Sequence, residues 1–313
     1  MTKRSYAILG TGAIGGLYGA RLHAAGFPVR FLLHRDYDHV REHGLRVDSI
    51  WGDLHLRDAE IYRDVAQMPP SDVTIVALKT TQNEQLAELL PPLVGDRGFV
   101  LVLQNGLGVE DEIARMIGDR VLGGLCFTCS NKIAPGHIHH LDEGKIAIGD
   151  FRPDGQPSGI TDRLDAIATD LETAGIPIDR QADLILARWK KLMWNIPFNG
   201  LSAILNAKTD ALVSDSATRT LAIALMQEIR TAAAAVDRQI PADFIDTMLA
   251  ATDAMRPYLT SMKLDLDCDR PLEVEAIFGH PLRVAAAAGV TMPQTTTLYH
   301  QLKFLDARRL PSS

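Results

Sequence analysis

The chain has 313 residues, 46% of them hydrophobic and 23% charged, with a formal net charge of −7, which is the composition of a globular protein long enough for two domains. The negative charge and the lack of an extended basic run argue against general nucleic-acid binding, which depends on attraction to phosphates. No apolar run approaches the ~18 residues of a membrane span, and the N-terminus lacks the apolar core of a secretory signal, so we expect neither feature. Because the cysteines number three, we also expect no disulfide framework. The expected protein is cytoplasmic, with reduced thiols.

From the N-terminus to Gln181, short apolar runs alternate with segments of helical spacing. The predicted strands are Tyr6–Gly10, Val29–Leu33, Leu45–Ile50, Asp53–Arg57, Val73–Leu78, Phe99–Leu103, Arg120–Cys129 and Lys145–Gly149, with a hairpin around Trp51-Gly52. The predicted helices are Ala13–Ala25, Gln82–Leu89, Glu110–Ile117 and Ile160–Ala174. This alternation predicts an α/β fold, with a Rossmann-like doubly wound sheet over residues 1–181.

The pattern changes after Ile176-Pro177, and strand alternation gives way to long helical segments. These predicted helices are Asp183–Leu205, Ser214–Ala235, Ala242–Met262, Leu272–Ala288 and Gln294–Ala307. Residues 182–313 are therefore predicted to form an all-helical C-terminal domain.

A glycine-rich loop follows the first predicted strand. The residues are Gly10, Thr11, Gly12, Ala13, Ile14, Gly15 and Gly16, which form a GxGxxG pattern between a strand and a helix. In a dinucleotide-binding loop the first glycine allows the tight turn, the second leaves room for the pyrophosphate, and the third lets helix and strand pack closely. The pattern predicts a dinucleotide site at the helix N-terminus, and the alternative is an ordinary glycine turn of a β-α unit.

The end of the second strand bears on the choice of cofactor. An NAD site usually has Asp or Glu there, whereas this strand ends in His34-Arg35 and Asp36 follows. Because an arginine fits a 2′-phosphate, we expect NADP(H), with Arg35 as the main contact and His34 as a lesser one. The alternative is that both are solvated loop residues.

A polar set interrupts the apolar segment from Arg188 to Asn199. Lys191, Asn195 and Asn199 stand at i, i+4 and i+8, which places them on one face of an α-helix, and Pro197 predicts a kink. Polar groups among apolar neighbours need partners, and a ligand carboxylate or carbonyl would serve. The alternative is an exposed stripe on an otherwise buried helix.

Several blocks together resemble the ketopantoate reductase (2-dehydropantoate 2-reductase) family over nearly the whole chain. They are Gly10–Gly16, the strand Val76–Lys79, the loop Gln104–Gly108, the segment Lys191–Asn199, and Ser261-Met262 followed by Glu273. The family commonly has Arg where His34 stands, so Arg35 is displaced by one position. Tyr258 stands where some members have Asn.

The resemblance implies NADPH-dependent reduction of ketopantoate to pantoate in pantothenate synthesis, without a metal. By position, Lys191 resembles the general acid and Glu273 the active-site carboxylate. Lys79 and Asn105 match the nicotinamide end of the cleft, and Asn105 also matches a substrate contact. Substrate-binding positions are matched by Asn195, Asn199 and Ser261. Fold-level analogy implies a homodimer through the helical domain.

Two further functions stay open. One is a related hydroxyacid dehydrogenase, or a reductase of another small 2-oxo acid. The other is a regulatory protein that binds NADP without turnover, which would not need Lys191, Asn195 and Glu273 together.

Two clusters receive no functional assignment. Cys126 and Cys129 have CxxC spacing but lie within a predicted strand, where we expect buried small hydrophobes. His137, His139 and His140 lack the spacing typical of a metal site, so we expect a solvated hairpin.

Overall fold

The computed structural model of the chain describes residues 3–308, which form two compact units. The first unit comprises the described residues up to Gln104 together with Val109–Leu184. The second unit comprises Asn105–Gly108 and the described residues from Ile185 onward. The outer ends of the two predicted domains, residues 1–2 and 309–313, lie outside the described residues.

The first unit is built on one mixed ten-stranded sheet. Its strands are β1 (Tyr6–Leu9), β2 (Val29–Leu32), β3 (Leu45–Ser49), β4 (Leu54–Leu56), β5 (Glu60–Tyr62), β6 (Val73–Val76), β7 (Phe99–Val102), β8 (Val121–Ala134), β9 (His137–Asp150) and β10 (Ile178–Gln181). The strand order is β4-β3-β9-β8-β7-β6-β1-β2-β5, with β10 paired to β9. The strands β2, β1, β6, β7 and β8 run parallel, whereas β3 with β4 and β8 with β9 are antiparallel.

Five helices accompany this sheet. They are α1 (Ala13–Ala24), α2 (Tyr37–His43), α3 (Leu86–Val94), α4 (Val109–Ile117) and α5 (Asp162–Thr173). The strands β1 and β6 are buried at every position, as expected for central parallel strands covered on both faces. The predicted α/β architecture is confirmed, and so is the hairpin of β3 and β4.

The sequence patterns missed parts of this unit. The strands β5 and β10 were not predicted, because three or four residues carry little periodicity. The seven-residue helix α2 was also not predicted. The predicted helix Gln82–Leu89 begins as a 3₁₀ segment at Thr80–Gln85 and becomes α-helical only at Leu86. The half-buried Cys126 and Cys129 lie in β8, so their predicted burial is only partial.

The predicted solvated histidine hairpin is wrong for His140, which is 1% exposed. Its Nε2 donates to the carbonyls of Asp142 and Glu143 at 3.1 and 3.0 Å, and its Nδ1 lies 2.8 Å from the hydroxyl of Ser49. The ring also packs edge-on against Trp51. Because carbonyls only accept, Nε2 carries the proton of a neutral ring and Nδ1 accepts from Ser49.

This burial predicts a pH-dependent contribution to stability. Desolvation lowers the pKa of His140 from 6.5 and outweighs the carbonyl hydrogen bonds that raise it. A lowered folded-state pKa means that the stabilisation is complete above the unfolded value and is lost as the pH falls below it. Replacing His140 with leucine should cost about 1–3 kcal/mol at pH ~7.5, and the loss should shrink by pH ~5.5.

Thermal unfolding of the wild type and of His140→Leu at both pH values measures this effect. The half-exposed neighbour His139 supplies the control, because His139→Leu makes the same change on the same strand. A gap between wild type and His140→Leu that stays constant with pH would contradict the interpretation.

The second unit consists of helices joined by loops, with no strand among its described residues. Its helices are α6 (Leu184–Trp194, whose first residue belongs to the first unit), α7 (Gly200–Leu205), α8 (Thr209–Ser214), α9 (Ser216–Ala235), α10 (Phe244–Ala254), α11 (Ser261–Asp267), α12 (His280–Ala287) and α13 (Pro293–Ala307). Two π-helical segments, Asn195–Asn199 and Glu275–Gly279, directly precede α7 and α12. Over residues 3–308, no helix combines the length and apolarity needed to cross a membrane.

The predictions for α9 and α13 are confirmed, whereas the other three predicted long helices differ from the structure. The predicted helix Leu272–Ala288 starts only at Val274, and its π-helical segment Glu275–Gly279 runs directly into α12. The predicted helix Ala242–Met262 is two helices, because Pro257 cannot donate a backbone hydrogen bond and the chain is already extended at Met255. The predicted helix Asp183–Leu205 is interrupted by the π-helical segment around Pro197. A proline ring clashes with the carbonyl four residues earlier, and the wider π turn relieves that clash.

Candidate functional site

The glycine-rich loop of the first unit has the geometry that a dinucleotide requires. Gly10 has φ +100°, and a side chain there would lie 2.5 Å from the backbone nitrogen of Leu78. A Cβ on Gly15 would lie 2.3 Å from the carbonyl oxygen of Gly10. Beside Gly12, in contrast, a Cβ would meet no atom within 4 Å, so open space adjoins the start of α1. A pyrophosphate fits this open side, where the first turn of α1 has no acidic residue to repel it.

The strands β2, β1 and β6 lie side by side and parallel, so their carboxyl ends share one edge of the sheet. The glycine loop follows β1, His34-Arg35 follow β2, and Lys79 follows β6. Thr11 donates to the carbonyl of Leu32 at 3.1 Å, which ties the loop to the end of β2. The structure therefore brings these predicted cofactor contacts to one edge, where nucleotides bind in open α/β sheets.

The residues after β2 differ in exposure. His34 and Arg35 have exposed side chains, whereas Asp36 is buried. The carboxylate of Asp36 is ion-paired with Lys132 and accepts from the backbone N–H of Gly136 at 2.9 Å. Both partners come from the β8–β9 hairpin, a contact that the local sequence could not indicate.

A buried amide pair supports the chain around Lys79. The amide nitrogen of Gln104 donates to the carbonyl of Leu78 at 2.9 Å and to Oδ1 of Asn83 at 2.7 Å. Asn83 in turn donates to Glu112 at 2.6 Å. The residues fixed by these bonds directly precede Lys79 and Asn105. No role was predicted for Gln104. The signal was a polar residue at the end of a buried strand.

The polar residues of the helical unit lie around the first π-helical segment. Asn195 and Asn199 begin and end that segment and are 3% and 2% exposed, while Lys191 in α6 is half-buried. The exposed-stripe alternative is therefore wrong for the two asparagines. Because the π turn changes the helical phase between them, the predicted stacking at i, i+4 and i+8 is also wrong beyond Asn195. π-helical turns of this kind occur frequently at functional sites.

One buried acceptor in this segment makes no hydrogen bond. Oδ1 of Asn199 is shielded within the protein, and no donor reaches it. The backbone carbonyl of Asn199 accepts from Ser202, whose hydroxyl also pairs with Thr260 at 2.6 Å. An unsatisfied amide oxygen is costly in a protein interior, so a ligand that donates a hydrogen bond would relieve that cost.

The loop Asn105–Gly108 belongs to the helical unit and meets both π-helical segments. The amide of Asn195 donates to Oδ1 of Asn105 at 3.5 Å, and the backbone N–H of Leu107 donates to the carbonyl of Ala276 at 3.0 Å. Gly106 has φ +105°, and a Cβ there would lie 2.5 Å from that same carbonyl. Asn105 and Asn195, two predicted substrate contacts, are thus neighbours.

Glu273 and Glu275 occupy contrasting surroundings. Glu273 is 5% exposed and directly precedes Val274 and the second π-helical segment. Glu275 is exposed and bonded to Tyr299, Lys303 and Arg283. Desolvation alone would raise the pKa of Glu275, but these hydrogen bonds outweigh it and lower the pKa to about 2. Glu275 is therefore committed to surface ion pairs.

Ser261 is the first residue of α11 and is half-buried. The helix α11 packs against α7 and the first π-helical segment, and its cap Thr260 bonds to Ser202. Ser261 therefore lies on an element in contact with the segment that carries Asn195 and Asn199. Within residues 3–308, no cluster of three or more His, Cys, Asp or Glu could hold a metal ion.

Comparison with known proteins resolves which family has this arrangement. The model of the family "Ketopantoate reductase PanE/ApbA" matches residues 6–153, and that of its C-terminal domain matches residues 183–306. A 2-dehydropantoate 2-reductase of Nostoc sp. is 56% identical over 98% of this chain and 97% of its own. The chain belongs to the ketopantoate reductase family.

Solved structures agree with this membership. The crystal structure of a 2-dehydropantoate 2-reductase from Geobacter metallireducens has a TM-score of 0.92 and 40% identity, covering 96% of this chain and 99% of its own. A ternary structure of D-mandelate dehydrogenase with NADH and anilino(oxo)acetate shares the fold at a TM-score of 0.88 and 21% identity, with 97% and 99% covered. As a ketopantoate reductase family member, the chain is a pyridine-nucleotide-dependent oxidoreductase of the 2-dehydropantoate 2-reductase type.

Proposed function

We propose that this protein reduces 2-dehydropantoate to pantoate with NADPH, in pantothenate synthesis in the cytoplasm. The single observation that carries the proposal is the near-full-length relationship to the Nostoc 2-dehydropantoate 2-reductase. In this proposal, residues 1–181 bind the cofactor and residues 182–313 bind the substrate. The open side of Gly12 and the exposed Arg35 support the first assignment, and the buried asparagines support the second.

The first unit would hold the dinucleotide through the loop Gly10–Gly15. Backbone N–H groups at the start of α1 would meet the pyrophosphate, and Arg35, assisted by His34, would meet the 2′-phosphate. Lys79 and Asn105 would line the nicotinamide end. When bound, the cofactor supplies the hydride that is added to the 2-oxo carbon.

The second unit would bind and protonate the substrate. Reduction of a ketone leaves negative charge on the carbonyl oxygen, and the ammonium of Lys191 would stabilise that charge and donate its proton there. Asn195, Asn199 and Ser261 would hold the substrate's polar groups. The unsatisfied Oδ1 of Asn199 supports this role, because it needs a hydrogen-bond donor and a hydroxyl provides one. Glu273 would bind the substrate hydroxyl.

A direct test follows the loss of NADPH absorbance with a panel of 2-oxo acids that includes 2-dehydropantoate. We expect the highest kcat/KM for 2-dehydropantoate. A higher value for another 2-oxo acid would instead support the second candidate, a reductase of a different substrate. The observation behind this second candidate is the fold that the chain shares with D-mandelate dehydrogenase. Binding of NADPH without turnover of any panel member would support a regulatory protein.

The cofactor assignment predicts the effect of one substitution. Replacing Arg35 with alanine should weaken NADPH binding about tenfold to hundredfold, because a charged hydrogen bond contributes ~1.5–3 kcal/mol. Binding of NADH should remain nearly unchanged, since NADH has no 2′-phosphate. Fluorescence titration with each cofactor measures both affinities.

Arg41 provides the matched control for that substitution. It is an exposed arginine of the adjacent helix α2 and pairs with Asp38. Arg41→Ala removes the same charge from the same region and should leave both affinities close to the wild-type values. Equal losses of NADPH and NADH affinity in Arg35→Ala would contradict the assignment.

We also infer a homodimer formed through the helical unit. Leu205 and Phe304, on α7 and α13, are 48% and 60% exposed, and pairing between copies would remove such side chains from water. Light scattering coupled to size-exclusion chromatography determines the mass, and a monomer at micromolar concentration would contradict this inference.

A further inference from the structure

Asp36, the acidic residue after β2, is bound by two residues of the β8–β9 hairpin. In enzymes that use NAD, a carboxylate at this place accepts a hydrogen bond from the ribose hydroxyl. The side chain of Asp36 is only 10% exposed, is ion-paired with Lys132, and accepts from the N–H of Gly136 at 2.9 Å. Its charge is therefore matched by a cation, and one of its oxygens is already bound.

The turn that supplies one of these partners is itself anchored. The carbonyl of Gly136 accepts from the backbone N–H of Arg46 at 2.8 Å, which ties the turn to β3. Gly136 has φ +60°, and a Cβ there would lie 2.9 Å from the side chain of Val40 in α2. Because the turn is fixed against both β3 and α2, Asp36 is held toward the hairpin.

From these contacts we propose that Lys132 is a specificity-determining residue, which favours NADPH over NADH by neutralising Asp36 beside Arg35. This inference rests on the proposed use of NADPH. Lys132 acts through Asp36, so it is a positioning residue and not a catalytic one.

The physical reason is the charge that a 2′-phosphate meets at this edge. That phosphate carries nearly two negative charges, and an unpaired carboxylate one residue after Arg35 would repel it and compete for the guanidinium. The ion pair with Lys132 cancels most of that repulsion. NADH lacks the 2′-phosphate, so loss of the ion pair between Asp36 and Lys132 should not weaken its binding.

The test compares affinities for both cofactors in Lys132→Met, a change that removes the charge and keeps the aliphatic stem. We expect the Kd for NADPH to rise about fivefold, the size of a unit-charge interaction at close range through water. The Kd for NADH should stay the same or fall. Fluorescence titration gives both values without any turnover, and circular dichroism confirms that the variant is folded.

Two further variants separate the electrostatic role from a structural one. Adding Asp36→Asn to Lys132→Met should restore NADPH affinity, because an asparagine carries no charge and can still accept from Gly136. Lys145→Met makes the same change at an exposed lysine of β9, in the same hairpin, and should leave the NADPH-to-NADH ratio unaltered.

The outcomes distinguish this inference from the proposal beneath it. A wild-type chain without preference for NADPH would overturn both. A wild-type preference that Lys132→Met leaves intact, or that it changes no more than Lys145→Met does, would overturn only the role of Lys132. Failure of Asp36→Asn to restore affinity would overturn the route through Asp36.

Discussion

Replacing Lys191 with alanine is expected to lower kcat by roughly 10²–10⁴, the contribution of a positioned general acid. Lys191 is half-buried in α6, and Asn195, one turn later, is buried beside Asn105. The stabilisation of negative charge on the carbonyl oxygen arises mainly in the transition state, so kcat should fall more than KM changes. NADPH affinity should change little, because the glycine-rich loop belongs to the other unit. Steady-state kinetics and cofactor titration test the two expectations.

Lys190 is the matched control for this substitution. It is the adjacent half-buried lysine, and its ammonium lies 5.5 Å from the ring centre of Phe244. One residue along an α-helix points ~100° away, so Lys190→Ala should leave kcat near the wild-type value at a small cost in stability. A loss in Lys190→Ala equal to that in Lys191→Ala would rule out a specific acid at Lys191.

Replacing Glu273 with glutamine is expected to reduce kcat/KM by about tenfold to hundredfold with cofactor binding intact. The change keeps the shape of a 5% exposed side chain and removes its charge. A hydrogen bond from a substrate hydroxyl to a carboxylate is worth ~1.5–3 kcal/mol relative to none, and the neutral amide of glutamine loses most of that free energy. Kinetics with 2-dehydropantoate measure the loss.

Glu275 supplies the control, two residues further along the chain. Its carboxylate already bonds to Tyr299, Lys303 and Arg283, so Glu275→Gln should lower the melting temperature slightly and leave turnover unchanged. Turnover at the wild-type level in Glu273→Gln would show that Glu273 has no part in the reaction.

The glycine-rich loop illustrates what the sequence predicts well. Its geometry is local, because a strand, a turn at φ +100° and a helix follow one another within the span from Tyr6 to Ala24. The central strands β1 and β6 were predictable for a similar reason, since continuous apolar runs are typical of buried parallel strands.

Contacts between distant segments were not predictable. Asp36 and Lys132 are far apart in the sequence, and only the pairing of β9 with β3 brings the hairpin beside α2. The burial of His140 has the same origin, since Ser49 and Trp51 reach it from the β3–β4 hairpin. A single sequence carries no periodic signal for such pairings.

Helical spacing indicated which residues are candidate ligand contacts, but it did not predict their angular positions around the helix. An α-helix and a π-helix have similar apolar patterns over one turn, so Lys191, Asn195 and Asn199 were predicted to share one regular face. The burial of Asn195 and Asn199 supports their selection as ligand contacts, while the π turn changes how they are presented.

The π-helical geometry of Asn195–Asn199 also fixes how many residues this segment must contain. A π turn accommodates about one residue more than an α turn, so deleting any one of the five would restore regular α-helical bonding. Because the π turn takes up its extra residue within one turn, α7 would keep roughly its present orientation, with the buried Leu201 and Ala203 in place, while the separation of Asn195 and Asn199 around the helix would change. The length of this segment is therefore a requirement of how Asn195 and Asn199 are presented, and not of how α7 packs.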